Sequence, residues 1–273
     1  MIEQKTRRRR KKRIVLHTSI IVFVLYFFPV GYKVAAHYSD PVRTASWSDL
    51  RRDSSQLAPD PTTTSDAIIQ VYAARAMRWR GALGVHTWIA TKRTDEDFYT
   101  RLEVMGYALR WSGKTVQIRR GQPDSYWYGS RPQLLRELIG GEDIDRLIDK
   151  LHQTATSYPF DQRYKVWPGP NSNTFIAYLA RQIPELDLDL PPTAIGKDYL
   201  VDRSLFSEPP SGNGFQLSLA GLLGVIVSTE EGLEMNLLGL TAGLDFSPFA
   251  LKLPGVGRVG YSDLKKLKVE DKP

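Results

Sequence analysis

The chain has 273 residues, 42% of them apolar, which is ample for a hydrophobic core and too much for a disordered protein. Its formal net charge of +7 sits in residues 1–13, where Lys5, Arg7, Arg8, Arg9, Arg10, Lys11, Lys12 and Arg13 face only Glu3; beyond them 29 basic and 29 acidic residues balance, leaving no cationic surplus for a nucleic-acid surface. Cysteine is absent, which excludes disulfides, thiolate nucleophiles and cysteine metal sites, and with only four histidines neither a metal centre nor a cofactor is expected.

Residues 1–13 read as a cytoplasmic basic tail. From Ile14 to Tyr32 there are 19 residues without a formal charge, about 28 Å as a helix, close to the hydrocarbon thickness of a bilayer. Closed by Lys33, the segment 14–33 reads as a transmembrane signal anchor, and the basic flank before it predicts that the body lies outside the cytoplasm. A signal peptide cleaved near Val34-Ala35-Ala36 is the competing reading, although the apolar run exceeds the usual ~7–15 residues. Both readings export the body. Residues 34–65, polar and ending in APDPTTTSD, read as a linker, with His37 in it.

AIIQVYAARA is continuous enough for a buried strand, GALGVHTWIAT alternates into a second, KRTDED turns, FYTRLEVMGYALRW returns as a third, and KTVQIRR is a fourth. RPQLLRELIGGEDIDRLIDKLHQTATSY has helical spacing broken at Gly140-Gly141, predicting a short helix and then a longer one with His152 in solvent. YKVWPGPNSNTFIAYLARQIPEL predicts a strand piece, a Pro-Gly-Pro turn, and a helix from Asn171–Asn173 to before Pro184. Further on, FQLSLAGLLGVIVS and GLEMNLLGLTAGLDF flank Thr229-Glu230-Glu231-Gly232 and alternate, predicting a long hairpin with one apolar face. That face is expected to cover the core; the alternative is that it rests on a bilayer or a lipid partner.

Two pieces carry candidate chemistry, Gly84-Val85-His86-Thr87-Trp88 on a strand and Asn171-Ser172-Asn173-Thr174-Phe175 at a helix start. A hydroxyl there sits at the positive end of the helix dipole, beside N–H groups near Asn173 able to hold an oxyanion, and a strand histidine can act as its base. If Lys92 and Asp97 close the hairpin, Glu103 falls opposite His86 and can orient it; a one-residue slip would undo that pairing. The same residues have structural readings: Ser172 as an N-cap, His86 as a hydrogen-bonded core residue, and Trp88, Trp127 and Trp167 as packing. No phosphate-binding loop, dinucleotide fingerprint or HExxH element is present.

These pieces resemble those of circularly permuted papain-like proteins, especially PPPDE-type deSUMOylating isopeptidases, in which a histidine in G-x-W-H-T-S precedes a cysteine in N-C-N-T-F. NlpC-like cell-wall peptidases and lecithin:retinol acyltransferases are more distant relatives of that fold. By the resemblance, His86 takes the family histidine's place, Ser172 the cysteine's, and Asn171, Asn173, Thr174 and Phe175 match the flanks. The serine departs at the central position, because a hydroxyl must lose its proton to a base during attack. The whole chain, through VYAARAMRWRGALGVHTWIA, WPGPNSNTF, DLPPTAIGKDYL and the Gly-rich C-terminal segment, resembles an uncharacterised bacterial envelope family, domain of unknown function 3750, which implies no established activity.

The expectation is an α+β protein: one transmembrane helix, a permuted papain-like domain over 66–203, and a β-rich extension over 204–273. It is expected to cross the inner membrane once, with a periplasmic body and no nucleic-acid partner. Functionally it is expected to be a catalytically silent relative that binds a peptide, cell-wall or lipid ligand in a cleft with Trp88, Asn171, Asn173 and Thr174. The alternative is a hydrolase or acyltransferase that uses Ser172, His86 and Glu103 on an envelope amide or ester.

Overall fold

The N-terminal apolar run belongs to one continuous helix, α1 (Ile2–Tyr38), in the computed structural model, which describes residues 2–39 and 50–260. The helix is long and apolar enough to cross a membrane, and Phe23, Phe27 and Phe28 are exposed on it. It overruns the expected end at Lys33 by more than a turn, so His37 is a buried helical residue and not part of a linker. Residues 40–49 of that linker lie outside the described residues. Residues 54–58 are docked, contrary to a free stalk: the Asp124 carboxylate accepts from Ser54 Oγ (2.9 Å), Leu57 N (2.6 Å) and Ala58 N (3.2 Å), and Leu57 and Ala58 pack beside Tyr72 and Trp88.

Five strands, β1 (Ala67–Arg75), β2 (Val85–Lys92), β3 (Thr100–Val104), β4 (Val116–Arg120) and β5 (Gln133–Gly140), form an antiparallel sheet in the order β4-β3-β2-β1-β5. β1 is covered on both faces, which is why its sequence runs apolar instead of alternating. Two sequence expectations fail here. The third strand stops at Val104, and Gly106–Arg110 turns as a 3-10 helix, with Gly106 against the Tyr164 ring where a Cβ would come within 2.4 Å. RPQLLRELIG is a strand and not a short helix: the free edge of β1 pairs with it from Ala67↔Gly140 to Ala73↔Gln133, and that pairing outweighs a weak local helical period.

The two remaining expected helices are α2 (Glu142–Thr156) and α3 (Ser172–Gln182), both packed on one face of this sheet. Ile148 and Leu151 of α2 and Phe175 and Ile176 of α3 meet Val71 and Ile89 of the strands. His152, expected in solvent, instead faces β2, with Nε2 3.1 Å from Thr91 Oγ1. Residues 164–167 are irregular and not a strand, and they lead into cis bonds at Trp167-Pro168 and Gly169-Pro170.

The C-terminal part is a seven-stranded antiparallel meander in chain order, from β6 (Phe206–Ser207) through β7 (Gly214–Leu219), β8 (Leu223–Ser228), β9 (Leu233–Leu237), β10 (Leu240–Phe246) and β11 (Phe249–Leu253) to β12 (Gly257–Gly260). Thr229-Glu230-Glu231-Gly232 joins β8 to β9 as expected, but each arm of the expected hairpin folds again. Leu238 (φ 54°) and Gly239 (φ 77°) make the tight turn that pairs Leu237 with Leu240. Residues 261–273, the end of the expected extension, lie outside the described residues.

One face of this sheet is apolar, as expected, but it does not cover the core. Gln216, Ser218, Glu234, Asn236 and Lys252 are buried against the body, while Phe215, Val227, Met235, Phe246 and Phe249 are exposed. The buried charges are tolerated because each is paired: Lys197 bonds Glu234, and Lys252 Nζ reaches Glu234 Oε1 (2.9 Å), Asp189 Oδ2 (3.1 Å) and Glu231 O (2.9 Å). Asp198 accepts from Gln216 Nε2 (2.9 Å) and Asn236 Nδ2 (2.7 Å).

Candidate functional site: a cationic, aromatic recess

The β1–β2 ladder runs without a break from Ile68↔Lys92 to Arg75↔Val85, so strict alternation sorts the β2 side chains. Thr87, Ile89 and Thr91 face α2 and α3; His86, Trp88 and Ala90 face the other way, toward Tyr72, Tyr99 and Trp127. The structure therefore places His86 and the start of α3 on opposite faces of the sheet, and it does not bring Ser172 to His86.

The Asn-Ser-Asn-Thr motif instead locks the helix in place. Asn171, not Ser172, is the N-cap: its Oδ1 accepts from Asn173 N (2.9 Å) and Thr174 N (3.1 Å), and Thr174 Oγ1 accepts from Asn171 N (3.2 Å) to complete a capping box. Of the N–H groups near Asn173 expected to hold an oxyanion, those of Asn173 and Thr174 are occupied by that cap. Asn171 Nδ2 donates to Val166 O and Ile195 O, Asn173 Nδ2 to Val85 O and Ile195 O, and Thr174 Oγ1 to Gly196 O. Thr87 Oγ1 donates to Asn173 Oδ1 (3.0 Å), tying α3 to β2. All four motif residues are buried, as is Trp88, which donates from Nε1 to Pro123 O (2.7 Å) and packs as core beneath Arg101.

On the opposite face His86 does meet Glu103, by another route than expected. The β2–β3 register pairs Ile89 with Leu102 and Ala90 with Arg101, two residues away from the register that sets Glu103 against His86. A two-residue shift preserves the face, so Glu103 reaches His86 diagonally, Nε2 to Oε2 3.1 Å. Arg101 Nη2 (3.0 Å) and Arg119 Nη2 (3.3 Å) donate to the same carboxylate. Burial alone would raise the Glu103 pKa, but Arg101, His86 and Arg119 outweigh it and hold it at about 2. His86 moves down, chiefly by burial, against the pull of Glu103. An ionised Glu103 can only accept, so Nε2 of the neutral imidazole carries the proton and donates it. The ring is stacked on Trp127, centroids 3.8 Å apart.

Above this cluster lies an open recess of about 410 Å³, its mouth included. Arg101 and Glu103 lie in its floor, and Arg52, Arg119, Tyr107, Tyr126, Trp127 and Tyr128 line its sides. Two guanidinium groups, Arg101 and Arg119, meet one carboxylate there, and Arg52 lies over the Tyr128 ring. Arg101 Nε is buried without a hydrogen-bond partner, while Nη1 donates to Ser125 Oγ (2.7 Å). Among the described residues no cluster of three or more His, Asp and Glu side chains has the geometry to hold a metal ion.

Sequence reasoning named His86 and Glu103 but missed Arg52, Arg101, Arg119 and the tyrosines. The available signals were the inward-facing charged pair of Arg101-Leu102-Glu103 within a strand and the Tyr126-Trp127-Tyr128 run.

The family model described as a protein of unknown function (DUF3750) matches residues 66–199. The matched segment belongs to this family. The DUF3750 match covers the five-stranded sheet, α2, α3 and the recess residues other than Arg52, and it ends before β6. Neither the curated proteins nor the solved structures yield a match to the chain.

Proposed function

We propose that the protein is a membrane-anchored envelope binding protein, with α1 crossing the inner membrane, its N-terminus cytoplasmic and its body periplasmic, and that the recess over Glu103 takes a peptide ligand through a carboxylate. The observation that carries this reading is the surplus of guanidinium groups over carboxylates in a recess walled by Tyr and Trp, with the orphan Arg101 Nε beneath it. Planar guanidinium groups suit bidentate recognition of a carboxylate, and aromatic walls suit the apolar remainder of a peptide. The basic residues 7–13 before the apolar span support the orientation.

The α3–β2 unit, held by the Asn171 cap and the Thr87–Asn173 bond, supports reading the domain as a divergent permuted papain-like fold that has become catalytically silent. The hydrolase or acyltransferase reading loses support because Ser172 and His86 lie on different faces and the Asn173 N–H is already bonded.

The test titrates the full chain in detergent with short peptides that have a free C-terminal carboxylate, and with their C-terminal amides, following tryptophan emission. Binding of the acids, weakened by salt, by amidation and by Arg119→Gln, is the expected result. Equal response to acid and amide would overturn the recess assignment. Labelling of Ser172 by a fluorophosphonate probe would restore the enzyme reading.

A further inference from the structure

The second sheet wears its apolar face outward. Phe215, Val227, Leu233, Leu244, Leu251 and Val259 are register neighbours in one row across β7 to β12. A second row runs Phe206, Leu217, Val225, Met235 and Ala242 across β6 to β10. No charged side chain interrupts either row, and Val227 (53%) together with the neighbouring pair Phe246 (62%) and Phe249 (64%) is among the most exposed parts of this face. Contiguous apolar surface on this scale marks an interaction face.

We infer that this face lies against the outer hydrocarbon layer of the bilayer that holds α1, so that the protein is seated on the membrane by a β-sheet as well as tethered to it. The inference rests on reading α1 as the anchor, and the anchor itself identifies the occupant. Tyr26, 4% exposed, donates from its hydroxyl to Met235 O of β9 (2.7 Å), and α1 also touches β10 and β11. Tyr26 lies seven residues before Lys33, about 10 Å along the helix from that charge. The sheet thus meets the helix within its apolar span and not above it. Met235 belongs to the second apolar row, so helix and sheet face share one depth.

The orientation follows from what each side can tolerate. An open sheet cannot span hydrocarbon, because its edge N–H and C=O groups would go unpaired. Laid face-down it buries side chains about 5–10 Å deep and keeps its backbone paired within the sheet. The polar face cannot be the one that turns to lipid, because Lys197, Glu234 and Lys252 bind it to the body.

The chain has no cysteine, so one introduced thiol is unique. Val227→Cys, Phe249→Cys, Phe23→Cys and Glu230→Cys are each labelled with an environment-sensitive fluorophore in the full chain, reconstituted into phosphatidylethanolamine/phosphatidylglycerol vesicles with nitroxide-bearing lipids. Quenching at positions 227 and 249 several-fold above that at 230 supports the inference. Quenching at 23 without quenching at 227 and 249 overturns it and leaves the anchor intact. Quenching at 227 and 249 but not at 23 supports the sheet contact and removes the anchor, and quenching at none removes both. Self-quenching between copies at 227 without lipid quenching assigns the face to a second copy and overturns the inference. On the unsubstituted chain, a photoactivatable phospholipid should crosslink to residues 214–253; crosslinks confined to α1 overturn the inference without any variant.

Discussion

Glu103 is the residue whose removal should be felt most sharply. Its carboxylate is fully buried and accepts from His86 Nε2, Arg101 Nη2 and Arg119 Nη2. These partners bring its pKa from an ordinary 4.5 to about 2 in spite of burial. A carboxylate depressed in the folded state stabilises the fold above its unfolded pKa, and that contribution disappears as pH falls from about 4.5 through 2; the difference amounts to about 3 kcal/mol. Glu103→Gln removes the titration and leaves the buried Arg101 guanidinium without its counter-charge, which costs about 3–5 kcal/mol at pH 7. Urea unfolding of the full chain in detergent measures both effects: the variant is weaker by that amount at neutral pH, and the gap to the wild type narrows by about 3 kcal/mol between pH 5 and 2. His86 adds acid sensitivity of its own, because burial lowers its pKa and stability falls as pH drops below the ordinary value of 6.5. A gap that stays constant from pH 7 to 2, or a neutral-pH cost below about 1 kcal/mol, would refute the picture of Glu103 as the ionised centre of the recess.

Three further substitutions and one control test the scaffold. Asn171→Ala removes the cap and the side-chain donor to the Val166 carbonyl, while Ile195 O keeps its bond from Asn173 Nδ2, so thermal unfolding should show a loss of about 2–4 kcal/mol; an unchanged midpoint would mean the motif does not hold α3. Lys252→Met leaves Glu234 and Asp189 facing each other without a shared cation, and a loss of about 3–5 kcal/mol in denaturant unfolding is expected, whereas a neutral outcome would show that this sheet is not fixed by its polar face. Gly243→Ala brings a Cβ to 2.4 Å from Leu233 O across the ladder, a backbone contact that cannot yield, and should cost about 1–3 kcal/mol, while Gly121→Ala, with open space around it, should cost little.

The parts of the fold legible in the sequence are those dictated by local physics. The apolar span of α1, the buried strand β1, the hairpin from β2 to β3 and the helix opened by Asn171 each follow from periodicity or capping within one segment. The strand β5 was not legible, because its residues have a weak helical spacing and become a strand only when β1 offers an edge. The docked residues 54–58 were hidden for a similar reason: Asp124, far away in sequence, collects their N–H and hydroxyl groups, and composition alone cannot show that. Among the site residues, the contact between His86 and Glu103 was legible because face parity survives a two-residue error in register. The separation of Ser172 from His86 was not legible, because it required knowing which face of β2 turns toward α3, and motif similarity carries no such information.

The C-terminal sheet shows why alternation identifies two faces but not the direction each one points. In a protein surrounded by water the apolar face must go inward, and that assumption led to the expectation that the hairpin covers the core. The polar face, however, carries Glu234, Asp245 and Lys252 in alternate positions, and the segment before it supplies Asp189, Lys197 and Asp198 as partners. A solvated face would not need such matching, since surface ion pairs contribute little to stability. Charges matched across a sheet and an adjoining loop instead indicate a face that must be buried while polar, which is favourable only where the opposite face has an apolar medium to meet. The same chain begins with a helix long and apolar enough to cross a membrane, and Tyr26 of that helix is bonded to the sheet at Met235. On the proposed reading, helix and inverted sheet are two responses to one environment, and the rows through Val227 and Met235 offer the apolar surface that a bilayer would meet.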